Sequence, residues 1–332
     1  MRHGATEVAT TNYAISDSGA ALRLSGRALT DRAENLPPAG VQALALDARS
    51  GDLYVVGQDT LARYDPTGSR VLAQASIGRA PGGIVLDAAR GRVYVASGEQ
   101  GALLAFDATT LAPIARVGGF AQPGGVALAG DRLFVADTQA GVVRAVAADD
   151  FRVTAITEVG PGPYAVAALP AQGRVFVAQS GGDSVARLDA LTGELVGVTA
   201  LGGLGHPQGM VADAQAGKVY VIYMLAPRYR QIAILDGLTG AVERIIPATL
   251  DRPLTYASAL ALDAARGRLL VGDSTGVLAY DLRTHTWAHQ PVADTRGPAP
   301  IFGLAVDASR EALFTSSLAD RAGRLMRLAD QR

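Results

Sequence analysis

Glu99, Asp137, Gln139, Gln179, Asp183, Asp273, Asp320 and Arg321 occupy one kind of place in this chain. Each follows a short β-branched or aromatic phrase within a few residues, where a loop opens. Oxygen donors at such matching places could converge on a small polar ligand or a cation. Calcium is the cation to consider, because it takes six to eight oxygen ligands. No loop gathers a run of Asp and Asn ligands, so calcium is a possible cofactor and no other is suggested. Arg79, Tyr164, His206 and Tyr256 stand close to the segments that follow these loops. In a hydrolase, Glu99, Asp137 or His206 would serve as general base, and Arg79 or Arg228 would hold an anion.

Other chemistries lack their residues. The chain has no cysteine, which removes thiolate nucleophiles, disulfides and zinc-thiolate sites. Its histidines are His3, His206, His285 and His289, too few to suggest haem or copper. No Gly-x-Ser-x-Gly elbow, His-Glu-x-x-His pair or phosphate-binding loop occurs. His285, Trp287 and His289 alternate and would share one face of a strand. Residues four apart on a strand are about 13 Å apart, so the two histidines would not ligate one metal. A fourth strand with an aromatic packed against a neighbouring blade is the expectation there.

The elements that must position these residues are repeats. The phrase Gly91-Arg92-Val93-Tyr94-Val95-Ala96 returns around Tyr54, Phe134, Phe176, Tyr220, Leu270 and Phe314. Successive anchors lie 40, 40, 42, 44, 50 and 44 residues apart. Short strands at a period of about 42 mark the blades of a propeller. Within one repeat, Ile84-Val85-Leu86 reads as a first strand and Val93-Tyr94-Val95 as a second. Leu103-Leu104-Ala105-Phe106 reads as a third, and Pro113-Ile114-Ala115-Arg116-Val117 as a ragged, polar edge strand. Asp87 and its counterparts Asp47, Asp213, Asp263 and Asp307 fall in first-to-second turns. Asp65, Asp107, Asp189, Asp236 and Asp281 end third strands. Recurring aspartates at these places are expected to cap their turns.

First strands begin near Val41, Gly83, Gly125, Ala165, Gly209, Ala259 and Ile301, which makes seven blades. The last lacks a fourth strand, and Arg27-Ala28-Leu29-Thr30-Asp31 has the place of one. The expected fold is therefore all-β: a single seven-bladed propeller of four-stranded antiparallel blades over residues 27–332. Its ring would be closed by an N-terminal strand completing the last blade. Residues 1–26 form an extension, either disordered or an extra hairpin from Asn12–Ser16 and Ala20–Leu24.

Composition agrees with a packed domain. Hydrophobic residues make up 49% and charged residues 18%, which supports a large core and argues against disorder. With 30 basic and 31 acidic residues the net charge is −1, so nothing in the overall field favours nucleic acid. No apolar run approaches the ~20 residues of a membrane span. The start of the chain shows no apolar signal-peptide core.

Val93-Tyr94-Val95-Ala96-Ser97, Leu104-Ala105-Phe106-Asp107 and Pro123-Gly124-Gly125-Val126-Ala127-Leu128 together resemble the YVTN-type β-propeller repeat. The asparagine of that family's phrase is replaced throughout this chain. The resemblance covers residues 27–330 and implies a seven-bladed ring of bacterial, cell-envelope type. It also implies an extracytoplasmic location, with the cytoplasm as the alternative. Some seven-bladed relatives are lactonases, but no catalytic motif of theirs maps onto these residues.

The fifth repeat departs from the others, with a spacing of 50. Its extra length falls in residues 223–230 and 247–256, two neighbouring loops on the face that also carries the second-to-third loops. They bring Tyr223, Arg228, Tyr229, Arg230, Arg252 and Tyr256 together, residue types enriched at interfaces. The reading that results is a non-enzymatic, monomeric binding scaffold. It would present Glu99, Asp137, Gln179, His206, Asp273 and the fifth-repeat loops to a protein or small polar ligand, without nucleic acid or membrane insertion. A lactonase-like or other hydrolase at the mouth of the central channel is the alternative. A module of a longer envelope protein is a third.

Overall fold

The computed structural model describes residues 7–8, 23–28, 42–202, 205–226, 229–247, 254–255, 257, 259–274, 276–290, 301–319 and 322–331. The expected loop residues Arg228, Asp251, Arg252, Tyr256, Asp320 and Arg321 lie outside these, as does Asn12–Ser16.

The chain divides into two compact units, residues 75–256 and residues 1–74 with 257–332. In the first unit four sheets follow one another, each of consecutive antiparallel strands. In chain order, β1 (Glu7–Val8), β2 (Arg23–Ala28), β3 (Ala43–Leu46), β4 (Leu53–Val56), β5 (Thr60–Tyr64) and β6 (Val71–Ser76) precede them. The four sheets begin with β7 (Pro81–Asp87), β8 (Arg92–Ser97), β9 (Ala102–Asp107) and β10 (Pro113–Gly118). The second has β11 (Pro123–Ala129), β12 (Arg132–Asp137), β13 (Val142–Ala147) and β14 (Val153–Glu158). The third has β15 (Pro163–Leu169), β16 (Arg174–Gln179), β17 (Ser184–Asp189) and β18 (Leu195–Ala200). The fourth has β19 (Gly205–Asp213), β20 (Lys218–Ala226), β21 (Tyr229–Asp236) and β22 (Val242–Ile246), and β23 (Leu254–Thr255) pairs with β21.

The other unit holds β3 to β6 as one sheet and β24 (Ala259–Asp263), β25 (Arg268–Asp273), β26 (Gly276–Asp281) and β27 (Trp287–Gln290) as a second. Its third sheet joins β28 (Ile301–Asp307), β29 (Ala312–Ala319) and β30 (Ala322–Gln331) to β2 and β1.

Burial explains the repeat phrase. In β8, β12, β16 and β25 the five residues after the leading arginine are all buried. A strand covered on both faces reads as a continuous apolar run, and β-branched and aromatic side chains fill it. Outer strands such as β14 and β18 alternate between exposed and half-buried positions, as strands open on one face do. Inner strands of neighbouring sheets meet backbone to backbone. A Cβ on Gly82 would stand 2.3 Å from the carbonyl oxygen of Gly124, and one on Gly125 2.5 Å from that of Tyr164. Only glycine admits so close an approach, which accounts for the recurring Pro-Gly-Gly.

All ten recurring aspartates cap their turns. Asp47, Asp87, Asp213, Asp263 and Asp307 each accept a backbone N–H two or three residues on. Asp107, Asp189, Asp236 and Asp281 do the same after the third strands, and Asp65 accepts the N–H groups four and five residues on. The arginine three residues beyond Asp87, Asp263 and Asp307 pairs with its carboxylate and also reaches the next sheet. Arg90 donates to Asp149, Arg266 to Glu311 and Arg310 to the Ser50 carbonyl.

The expected single seven-bladed, closed ring is corrected by this topology. Among the described residues, six small sheets are each built on four consecutive strands, a propeller-like arrangement, and they divide between two compact units, where a single seven-bladed ring was expected. The remaining strands do not make a seventh blade of that kind. β2 pairs along β30 from Arg23↔Gln331 to Ala28↔Met326, and β1 adds outside it, so the sheet has five strands from both ends of the chain. First strands pack in the order β24, β28, β3 in one unit and β7, β11, β15, β19 in the other. The N-terminal strand expected at the edge of the last sheet is present, as β2 against β30, but the count of first strands did not foresee the fifth strand outside it. Among the described residues, no helix is long and apolar enough to cross a membrane.

Candidate functional site

The polar residues that close the second strands turn inward onto the backbone. Ser97 is fully buried and its hydroxyl donates to the Ile77 carbonyl at 2.6 Å. Asp137, also fully buried, accepts the N–H groups of Ala121 at 3.0 Å and Gln122 at 2.9 Å. Arg144 approaches the same carboxylate at 3.4 Å while its guanidinium lies 5.1 Å from the centre of the Phe120 ring. Gln179 donates to the Val159 carbonyl and accepts from the Ser184 hydroxyl. In each case a side chain at the end of a second strand holds the segment that enters its own sheet. Asp273 is buried as well, and it accepts the Gly276 N–H at 3.1 Å within its own hairpin.

Glu99 and His206 are exposed by contrast. Glu99 accepts the Arg79 N–H at 2.5 Å. His206 has φ +52°, and its Nδ1 is 2.6 Å from the Ser180 carbonyl. The carbonyl can only accept, so Nδ1 carries the proton and Nε2 is the acceptor of the neutral ring. Asp137, Gln179 and Asp273 thus sit in separate sheets, each occupied with its own turn or loop. Among the described residues, no group of three or more His, Cys, Asp or Glu side chains could hold a metal ion.

The fifth repeat is where expected residues come together. β20 has nine residues and β21 eight, against six in β8, β12, β16 and β25. Residues 223–226 and 229–230, expected as loop, instead continue the β20–β21 hairpin. β23 extends it, with Tyr229 opposite Thr255 and Arg230 opposite Leu254. Tyr223 is fully buried, and its hydroxyl accepts from the Gln231 side-chain amide at 2.5 Å. Burial pushes the Tyr223 phenol up, more than the Gln231 bond lowers it, so it stays neutral across physiological pH. Arg230 is 6% exposed and Leu254 1%. Leu225 and Tyr229 stand out from this packed base, 42% and 45% exposed. Leu225 and Leu254 lay within the two expected loops without being singled out, and Gln231 lay outside them. The repeat spacing of 50 was the signal for them, but spacing does not tell a loop from a longer hairpin.

Trp287 meets Tyr280 edge-on at 4.9 Å between ring centres, and His285 is 6.2 Å from the same tyrosine. The packing found is with the cross-strand partner in the same sheet, where packing against a neighbouring blade was expected; the His289 side chain lies outside the described residues.

No family model matches the chain, and no curated protein matches it. The resemblance to the YVTN-type repeat thus finds no match, and its seven-bladed ring is already corrected by the sheet topology. Among solved structures, a chain of Kuenenia stuttgartiensis hydrazine synthase is similar with a TM-score of 0.75 and 12% identity. The similarity covers 91% of this chain and 99% of that one. At that identity it shows the fold alone. Matches extend to 1587 solved chains, so the fold is too widely shared to carry an activity by analogy.

Proposed function

We propose that this chain is a non-enzymatic recognition scaffold that binds a protein or small-ligand partner at the far end of the β20–β21 hairpin. The observation that carries this reading is the extended hairpin itself. Its base is fixed by buried Tyr223, Gln231, Arg230 and Leu254, and Leu225 and Tyr229 are left exposed beyond it. A tyrosine and a leucine held on a rigid ladder lose little side-chain freedom on binding, which is the economy of an interface anchor. No specific observation favours the hydrolase alternative, since the buried carboxylate of Asp137 is engaged by backbone amides.

The test is a pair of variants, Leu225→Ser with Tyr229→Ser, and Glu99→Gln as a control distant in sequence. Partners captured by the wild-type protein are identified, purified and titrated against all three proteins. A panel of calcium, sugar lactones and sugar phosphates is screened in parallel by thermal shift. The scaffold reading expects the hairpin variant to melt like the wild type and to lose at least tenfold in affinity. Equal affinity in the hairpin variant, or turnover of a lactone, sinks it.

A further inference from the structure

The outermost strands of residues 75–256 differ in one respect that bears on association. Each is the last strand of its sheet, and among the described residues no strand pairs along its outer edge. Three carry charges at exposed positions: Arg116 in β10, Glu158 in β14, and Glu243 and Arg244 in β22. Charges on an edge are a common guard against pairing with another chain. β18, Leu195-Val196-Gly197-Val198-Thr199-Ala200, has none. Val196 and Val198 are 42% and 53% exposed, and Leu195 beside them is 42% exposed. β6 also lacks a charge, but its exposed positions are Gln74 and Ser76.

We infer that the open edge of β18 pairs antiparallel with β18 of a second copy of this chain, forming a two-fold dimer. Charge and pattern both favour that occupant. A two-fold axis normal to the sheet places a residue opposite one on the same face of the partner strand. Centred on Val198, it sets Val198 against Val198 and Val196 against Ala200. Centred on Gly197, it sets Val196 against Val198 twice. In both registers apolar side chains meet, and no like charges face each other within the strand. The net charge of −1 adds little repulsion between copies. The pairing uses up the edge, so it closes at two copies. β18 is held in place from its own side. It pairs with β17 from Ser184↔Ala200 to Leu188↔Leu195, and the Thr199 hydroxyl donates to the Gly240 carbonyl at 2.8 Å. This surface is separate from the β20–β21 hairpin, and it departs from the monomer expected from the sequence.

The experiment is the mass of the full chain in solution across a concentration series, by light scattering and sedimentation, for the wild type, Val198→Lys and Val198→Ile. The expected result is a wild-type dimer that dissociates on dilution, a Val198→Lys monomer, and a dimer retained in Val198→Ile. Melting curves at the lowest concentration check that the lysine variant folds as the wild-type monomer does. A wild-type protein that stays monomeric overturns the inference, whether the edge stays bare or takes some other extended segment. A dimer that persists in a folded Val198→Lys variant overturns it too, because the contact then lies elsewhere. Open-ended association also does, because a two-fold pair has no free β18 edge.

Discussion

The carboxylate of Asp137 takes the backbone N–H of Gln122 at 2.9 Å, from a position sealed against solvent. A residue with the appearance of a ligand group therefore acts as a fastener between a second strand and the segment entering its sheet. Asp137→Ala leaves the Ala121 and Gln122 amides and the Arg144 guanidinium without their acceptor. Hydrogen bonds to a charged group are worth about 1.5–3 kcal/mol, and a loss of that order is expected. Amide hydrogen exchange at residues 121 and 122 reads it locally, and exchange there should quicken before the rest of the sheet opens. Unchanged exchange at those two amides would show that the bond contributes nothing.

The arginines that follow the turn aspartates should rank by burial. Arg310 pairs at 3.0 Å with Asp307, whose side chain is 1% exposed, and donates to Ser50 in the next sheet. Arg152 pairs at 2.7 Å with Asp150, with side chains 79% and 49% exposed. Arg310→Met leaves a buried carboxylate with only its Arg310 N–H and Ser309 hydroxyl bonds, and is expected to lower stability by about 1–3 kcal/mol. Arg152→Met should change it by less than about 1 kcal/mol, as exposed pairs do. Urea denaturation of both variants checks the order, and equal losses would contradict it.

The turns after third strands end in a left-handed residue, and the chain fills that place in two ways. Gly193 and Gly240 occupy it at φ +80° and +75°; Leu111 and His285 occupy it at +56° and +60°. A side chain there is strained by about 1–2 kcal/mol, while glycine adds about 0.5–1 kcal/mol of unfolded-state entropy. His285 is exposed, so His285→Gly should be neutral or stabilising by up to about 1 kcal/mol. Leu111 is 2% exposed, and Leu111→Gly loses a core side chain for a net cost of about 2–5 kcal/mol. Thermal melts that move the two variants in the same direction would refute this account.

These turns also mark how much of the molecule could be read from sequence. Strands such as Arg92–Ser97 were legible because two-sided burial demands a run of β-branched and aromatic residues. The aspartate caps were legible because they bond two to five residues along the chain. The pairing of Arg23–Ala28 with the C-terminal strand joins segments some three hundred residues apart, and nothing local encodes how many strands gather there. Asp137, Gln179 and Asp273 look alike in sequence whether they face solvent or clamp a backbone. Their direction depends on the segment that arrives beside them. Tyr223 and Tyr229 shared one expected loop, yet the ladder buries the first and exposes the second.

Acid should weaken the turns that end third strands. Asp236 is lowered from 3.8 to about 2, first by the Thr239 backbone N–H and then by the Thr239 hydroxyl. Asp189 and Asp281 are lowered by the matching amides of Thr192 and Thr284. A carboxyl whose folded value lies below its unfolded value binds fewer protons when folded. Its contribution is therefore complete above the unfolded value and is lost as pH falls through the folded one. For Asp236 the window runs from about pH 4 down to about pH 2. Asp236→Asn keeps an acceptor for the Thr239 N–H but removes the titration. The difference in stability between wild type and this variant should be constant above pH 5 and shrink as pH drops through that window. Chemical denaturation at a series of pH values measures it, and a difference that stays constant down to pH 2 would show that this carboxylate has no preferential hold on its charged form.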